Sequence, residues 1–279
     1  MIRQLSMKRN EYAFENGVFG NRIVPVCETP QYDSLAHDFM KYDTTSQRIS
    51  RDILFAHLGK KDLYHKVVLD LGCGYGLDAA AFAKQGAQVH GVDQSRAFLR
   101  LARKRCPTGA FRQADFSWMP QYSDAFFDTI SSRYALQHAA DLDPVFIETA
   151  RVLKPGGKFV FVVTHPLRQY FEKPTRDYEQ QEVCASRIFD GRMIVSEPSH
   201  KFSDYFSPVA LNNFTLEKVI EKVDPNSQRV EGAGIYPGVL FVQYRRNDRV
   251  ESIFDWSNTL LMLRRAMAER TKLFWDNYP

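Results

Sequence analysis

The stretch VVLDLGCGYGLDA, Val67 to Ala79, sets Asp70 two residues ahead of Gly72, Gly74 and Gly76. Glycines at alternate positions after a strand-like run permit positive φ and let backbone N–H groups approach a ligand closely. The helix N-terminus behind them favours a negative group. The spacing departs from the dinucleotide fingerprint G-x-G-x-x-G, because the third glycine comes one residue early. A carboxylate at Asp70 repels a pyrophosphate and attracts an ammonium group. Asp93, in GVDQS, suits both hydroxyls of a ribose; capping the helix that begins near Ser95 is the competing role, and the two are compatible. Asp115 is followed by Phe116. Carboxylate and ring together suit an adenine amino group and its face, or an N-cap beside a core phenylalanine. Three acids, each at the end of a successive strand-like run, form a set that coincidence explains poorly.

The elements that must position these acids alternate. KVVLDL (66–71), AQVHGVD (87–93), FRQAD (111–115), FDTISSR (127–133) and KFVFVVTH (158–165) read as strands. DAAAFAKQG (78–86), SRAFLRLARKR (95–105) and DPVFIETARVLK (143–154) read as helices, the last stopped by Pro155-Gly156-Gly157. Such alternation predicts an open parallel sheet with helices on both faces, and ligands on such sheets sit beyond the carboxyl ends of the strands. LEKVIEKVD (216–224) and GVLFVQYRR (238–246) are two further strands. The expected organisation is an N-terminal helical cap over 1–64, a core over 65–249 with an inserted lid at 166–200, and a C-terminal helix over 250–279. In the lid, Asp190-Gly191 between apolar residues predicts a hairpin turn. Ile253, Trp256, Leu260, Leu263 and Met267 form one apolar helical stripe. It is expected to pack on the domain, with a dimer interface as the alternative; a monomer or homodimer is expected.

Bulk properties exclude several classes. The chain of 279 residues is 44% hydrophobic and 25% charged, as soluble globular chains are. A formal net charge of +4 is too small to argue for nucleic acid by itself. Cys27, Cys73, Cys106 and Cys184 are scattered without a C-x-x-C, against a zinc site or disulfide framework. No metal site, no secretory signal and no membrane span are expected, and the reading is a cytoplasmic protein.

LDLGCGYG (69–76), GVD (91–93), AD (114–115), FDTI (127–130) and RVLKPGGKFVF (151–161) together resemble the class I, Rossmann-like S-adenosylmethionine-dependent methyltransferases. The likeness is to the small-molecule branch that includes ubiquinone and menaquinone biosynthesis enzymes. It covers roughly residues 65–165. It implies a seven-stranded, mostly parallel sheet with helices on both faces and an antiparallel strand supplied by GVLFVQYRR. It implies S-adenosyl-L-methionine as cofactor and S-adenosyl-L-homocysteine as product. Asp70 and the Gly72, Cys73, Gly74, Gly76 loop would hold the methionine part. Asp93 would take the ribose, Asp115 and Phe116 would flank the adenine, and Gln94 and Arg133 would also belong to the cofactor pocket.

Methyl transfer is an in-line displacement, so the protein must align a nucleophile and exclude water; a hydroxyl or protonated amine also needs a base. His165 ends the fifth strand in THPL, where one subgroup of the family carries an HP pair before a lid, and it is the favoured base or orienting group. His138 follows the fourth strand, with a structural histidine as the competing reading. His200 reads as a surface histidine. QYDSLAHDFMKY (31–42) resembles the family's Y-D-x-x-A-x-x-Y cap. Tyr32 matches the first tyrosine, and Phe39 replaces the second, with Tyr42 one turn on. In the lid, Tyr170, Phe171, Tyr178, Phe189 and Met193 stand among Arg168, Lys173, Arg176 and Arg187, which suggests a planar or acidic small molecule. The expected reaction is methyl transfer to O, N or C of such a metabolite, with no nucleic-acid or membrane partner. A nucleic-acid or protein methyltransferase with the same core is the first alternative, though SSRYALQ lacks an N-P-P-Y type motif. A non-catalytic module that binds the same cofactor is the second.

Overall fold

The computed structural model describes residues 31–43, 48–189, 191–223 and 234–248. The stripe read over 250–275 and the first thirty residues lie outside them. In chain order the elements are α1 (Gln31–Tyr42), α2 (Arg48–His57), α3 (Lys60–Leu63), β1 (Val67–Leu71), α4 (Leu77–Lys84), β2 (Gln88–Asp93), α5 (Arg96–Arg105), β3 (Ala110–Gln113) and β4 (Phe127–Arg133). They continue as α6 (Asp143–Val152), β5 (Leu153–Thr164), α7 (Pro166–Glu172), β6 (Val183–Ile188), β7 (Met193–Pro198), α8 (Pro208–Asn213), β8 (Phe214–Lys222) and β9 (Val239–Arg246).

Seven strands form one sheet in the order β3-β2-β1-β4-β5-β9-β8. β1 to β5 are parallel neighbours, and β9 runs antiparallel between β5 and β8, as expected for GVLFVQYRR. The carboxyl ends of β1 to β5 therefore share one edge, and the chain order reverses between β1 and β4, where such folds bind ligands. The period-two alternation of the strands divides the core. Leu69, Leu71, Phe159, Phe161 and Val163 pack on one face, and Val68, Val160 and Val162 on the other. Burying each such side chain contributes about 1.5–3 kcal/mol.

One boundary differs from expectation. β5 begins at Leu153 and not at Lys158, because Leu153 already pairs with Phe127. Pro155-Gly156-Gly157 is a bulge within the strand, with a register shift on β4, so it ends α6 without ending the pairing. β6 and β7 make a separate two-stranded sheet, with Ile188 paired to Met193 across residues 189–192. The hairpin is as expected, and Gly191 takes φ +78° in its turn.

Candidate active site

The glycine loop is built from two kinds of glycine. Gly72 and Gly76 have φ +75° and +79°, and each is pressed against protein. A Cβ on Gly72 would lie 2.2 Å from Ala135 Cβ, and one on Gly76 2.9 Å from Ala102 Cα. Gly74, at φ +49°, would meet nothing within 4 Å. Its side of the loop is an open cradle. The loop is fixed by Gly72 N–H and Cys73 N–H, which both donate to Val92 O at 2.9 Å.

Asp93 faces this cradle. Its Oδ2 accepts from Gly74 N–H at 2.9 Å and its Oδ1 from Ser95 N–H at 2.8 Å. Burial pushes its carboxyl up to about 6, while those N–H groups pull it back. Ser95, not Asp93, caps α5, accepting from Phe98 N–H at 3.1 Å. Asp115 accepts from Ser117 N–H at 2.8 Å and from Gln94 Nε2 at 2.8 Å. The Phe116 ring would come within 3.2 Å of a Cβ on Gly72, so it borders the loop. Asp70 is buried and accepts from Ala79 N–H in the first turn of α4. Burial and neighbouring Asp78 push its carboxyl well above the usual range, and Arg133 pulls it down.

Arg133 extends this electrostatic group. Its Nε donates to Asp78 Oδ2 at 2.5 Å, and Arg51 Nε donates to Asp78 Oδ1 at 2.9 Å. Asp78 and Arg51 carried no signal in the sequence. An acid in the first turn of a helix reads as ordinary dipole complementation, and Arg51 meets it from a helix 27 residues away.

Helix α1 roofs the cradle. Asp33 Oδ1 accepts from Ser95 Oγ at 2.6 Å and Ala97 N–H at 3.0 Å, which latches α1 to the start of α5. Gln31 exchanges two hydrogen bonds with the backbone of Ser196 on β7. Tyr32, Phe39, Tyr75 and Phe98 form an aromatic layer between them.

Two of the three nominated catalytic side chains meet here. Tyr32 Oη lies 2.9 Å from His138 Nε2, across 106 residues of sequence. Burial pushes His138 down to about 4. Burial, then Glu197 and Asp93, hold the Tyr32 phenol well above its ordinary value. His138 Nδ1 is buried with no partner among the described residues. His165 stands elsewhere. Its Nδ1 accepts from Leu167 N–H at 3.0 Å to cap α7, and its Nε2 meets Glu221 at 2.7 Å, so both ring nitrogens hold the turn after β5. His200 corrects the surface reading: it is 5% exposed, with Nε2 3.2 Å from Gln137 O. In the cap, Phe39 and Tyr42 pack against the lid cluster of Phe189, Met193 and Val195, and Tyr32 alone of the three reaches His138.

Two of the lid's cations are used internally. Lys173 donates to the carbonyls of Asp177 and Gln180. Arg168 donates to Glu172 at 3.1 Å and to Arg187 O at 2.7 Å. Phe189 and Met193 pack against α1, and Tyr178 Oη accepts from Phe202 N–H.

A neutral buried imidazole has a pH signature. The folded value near 4 lies below the ordinary 6.5. Above 6.5 neither state binds this proton, so the penalty is absent. As pH falls from 6.5 towards 4 the unfolded chain takes up a proton that the folded chain refuses, and stability is lost. Chemical denaturation at pH 7 and pH 4.5 is expected to show a smaller drop for His138→Phe than for wild type, by about 2 kcal/mol. Equal drops would mean that His138 ionises freely in the fold.

Among the described residues no helix is long and apolar enough to cross a membrane, and no group of three or more His, Cys, Asp or Glu is placed to hold a metal ion. Residues 69–161 match a family described as Methyltransferase domain. The chain is 31% identical over 217 residues to a trans-aconitate 2-methyltransferase of Azoarcus sp. (strain BH72), covering 75% of this chain and 81% of that protein. It is 38% identical over 104 residues to a ubiquinone biosynthesis O-methyltransferase of Idiomarina loihiensis, covering 36% of this chain and 42% of that protein. The chain spans about half the length of the first curated relatives it matches. In fold it is similar to an S-adenosylmethionine-dependent methyltransferase from Mesorhizobium loti, with a TM-score of 0.57 at 23% identity, covering 74% of this chain and all of that one.

Proposed function

The chain belongs to the class I S-adenosylmethionine-dependent methyltransferases, and on that premise we propose that it transfers a methyl group to O, N or C of a small, planar metabolite. The observation that carries this reading is the open cradle at Gly74, faced by Asp93 and roofed by the Tyr32–His138 pair. The cradle fits the cofactor: a Cβ at Gly74 would fill space that no protein atom occupies, and Asp93, Asp115 and Phe116 border it with two acids and a ring. Asp93 and Gln94 would hold the ribose, Asp115 and Phe116 the adenine, and Asp70, the Gly72–Gly76 loop and Arg133 the amino-acid end. When bound, S-adenosylmethionine supplies an electrophilic methyl carbon on a sulfonium.

The chain's own groups then have three tasks. α1 and the aromatic layer exclude water from the reacting centre. The Tyr32 hydroxyl orients the nucleophile, in the field of Glu197 and Asp93. His138, kept neutral by burial, accepts the proton that a hydroxyl or amine nucleophile releases, through its hydrogen bond to Tyr32. His165 serves as a positioning residue that holds the turn from β5 into the lid. Of the four lid cations first read as favouring an acidic group, Arg168 and Lys173 are paired within the lid, and Arg176 and Arg187 are exposed.

Calorimetric titration tests the reading. S-adenosylmethionine and S-adenosylhomocysteine are expected to bind in the micromolar range, with NAD inert, and a panel of small acceptors should yield a product heavier by one methyl group. Binding of NAD instead, or of none of the three, would overturn it. Tyr32→Phe is expected to lower turnover on any accepted substrate about tenfold or more, with S-adenosylhomocysteine affinity unchanged.

A further inference from the structure

Among the described residues of the lid, one buried acid lies on the strand face that packs against α1. Strand alternation decides which: on β7, Met193, Val195 and Glu197 are buried while Ile194 is exposed. Met193 and Val195 pack with Phe189 against Tyr32, Leu35, Phe39 and Tyr42. Glu197 continues that face one step further, and the two bonds between Gln31 and Ser196 fasten this stretch to α1 beside Tyr32.

Glu197 is 2% exposed, and its carboxyl hydrogen bonds are one-sided. Oε1 accepts from Gln169 Nε2 at 3.0 Å and lies 2.9 Å from Ser186 Oγ. Among the described residues Oε2 has no hydrogen-bond partner. Ser186 Oγ also lies 2.7 Å from Glu172 Oε2, and one hydroxyl proton cannot serve both acids. A proton on Glu197 Oε1, facing Ser186, satisfies all three groups. Charged, or protonated in that way, Glu197 turns only lone pairs outward at Oε2. The neighbouring cations make no hydrogen bond to it: Arg168 attracts Glu197 by charge but bonds Glu172 and Arg187 O, and Lys173 bonds two carbonyls.

We infer that Glu197 is a specificity-determining residue of the substrate chamber, and that it selects a hydrogen-bond donor, a hydroxyl or amine, over a carboxylate. This rests on the methyltransferase reading above. A donor completes the bonding of Oε2, whereas a carboxylate would set lone pairs against lone pairs beside Arg168 and Lys173, whose hydrogen bonds are already made within the lid.

The test compares phenol with benzoate, planar probes of similar size, on the full chain saturated with S-adenosylhomocysteine, by ligand-observed NMR titration. Phenol is expected to bind at least tenfold tighter than benzoate. Glu197→Gln, which can turn an N–H outward, is expected to bring the two within threefold of each other, and Glu197→Asp to keep the preference for phenol. Equal or tighter binding of benzoate, no binding of either probe, or an unchanged preference in Glu197→Gln would overturn the inference. The wild-type comparison decides the matter even if Glu197→Gln does not fold. Failure of wild type to bind S-adenosylhomocysteine would instead strike the methyltransferase reading itself.

Discussion

Asp93→Ala is expected to weaken S-adenosylhomocysteine binding by about a hundredfold, roughly 2.7 kcal/mol. The carboxylate holds the cradle from both sides, accepting from Gly74 N–H on the loop and Ser95 N–H at the start of α5. It is also the acid read as taking the ribose hydroxyls, and a hydrogen bond to a charged group contributes about 1.5–3 kcal/mol. Alanine removes the ligand contact and loosens the loop together. Asp93→Asn keeps an acceptor oxygen and is expected to lose about tenfold. Isothermal titration of the three proteins measures both steps. Unchanged affinity in Asp93→Ala would remove Asp93 from the cofactor site.

Gly72→Ala and Gly74→Ala are expected to fail in opposite ways. At Gly72 the new methyl group would lie 2.2 Å from Ala135 Cβ, on a backbone held at φ +75°. Left-handed strain and overpacking together cost about 3 kcal/mol, so the variant should melt several degrees lower. At Gly74 the methyl group meets no protein atom within 4 Å. Only the cost of the left-handed backbone remains, about 1 kcal/mol, and the melting temperature should stay close to wild type. Yet that methyl group occupies the cradle, and S-adenosylhomocysteine affinity is expected to fall at least tenfold. Thermal melts and titrations on the two variants separate the effects. A Gly74→Ala protein that binds normally would show that the ligand does not approach the loop there.

Much of this architecture was legible in the chain itself, because it depends on short-range physics. Alternating apolar residues set the strands and divide Leu69 and Leu71 from Val68 across the two sheet faces. Glycine spacing after β1 set the loop, and Asp70, Asp93 and Asp115 marked successive strand ends, since a parallel sheet brings all those ends to one edge. The hairpin at residues 189–192 followed from turn chemistry in the same way. The partners of side chains were not legible, because packing alone joins residues distant in sequence. Tyr32 and His138 meet only once α1 lies over the turn after β4. His165 was nominated from its place at a strand end, yet the helix that follows takes one ring nitrogen and Glu221 of β8 the other. Arg51 reaches Asp78 from a separate helix, and Arg168 and Lys173 of the lid bond back into the lid. Local patterns determined where the glycine loop and the strand-end acids lie, and the tertiary fold decided which side chains meet there, because a hydrogen bond has no sequence period.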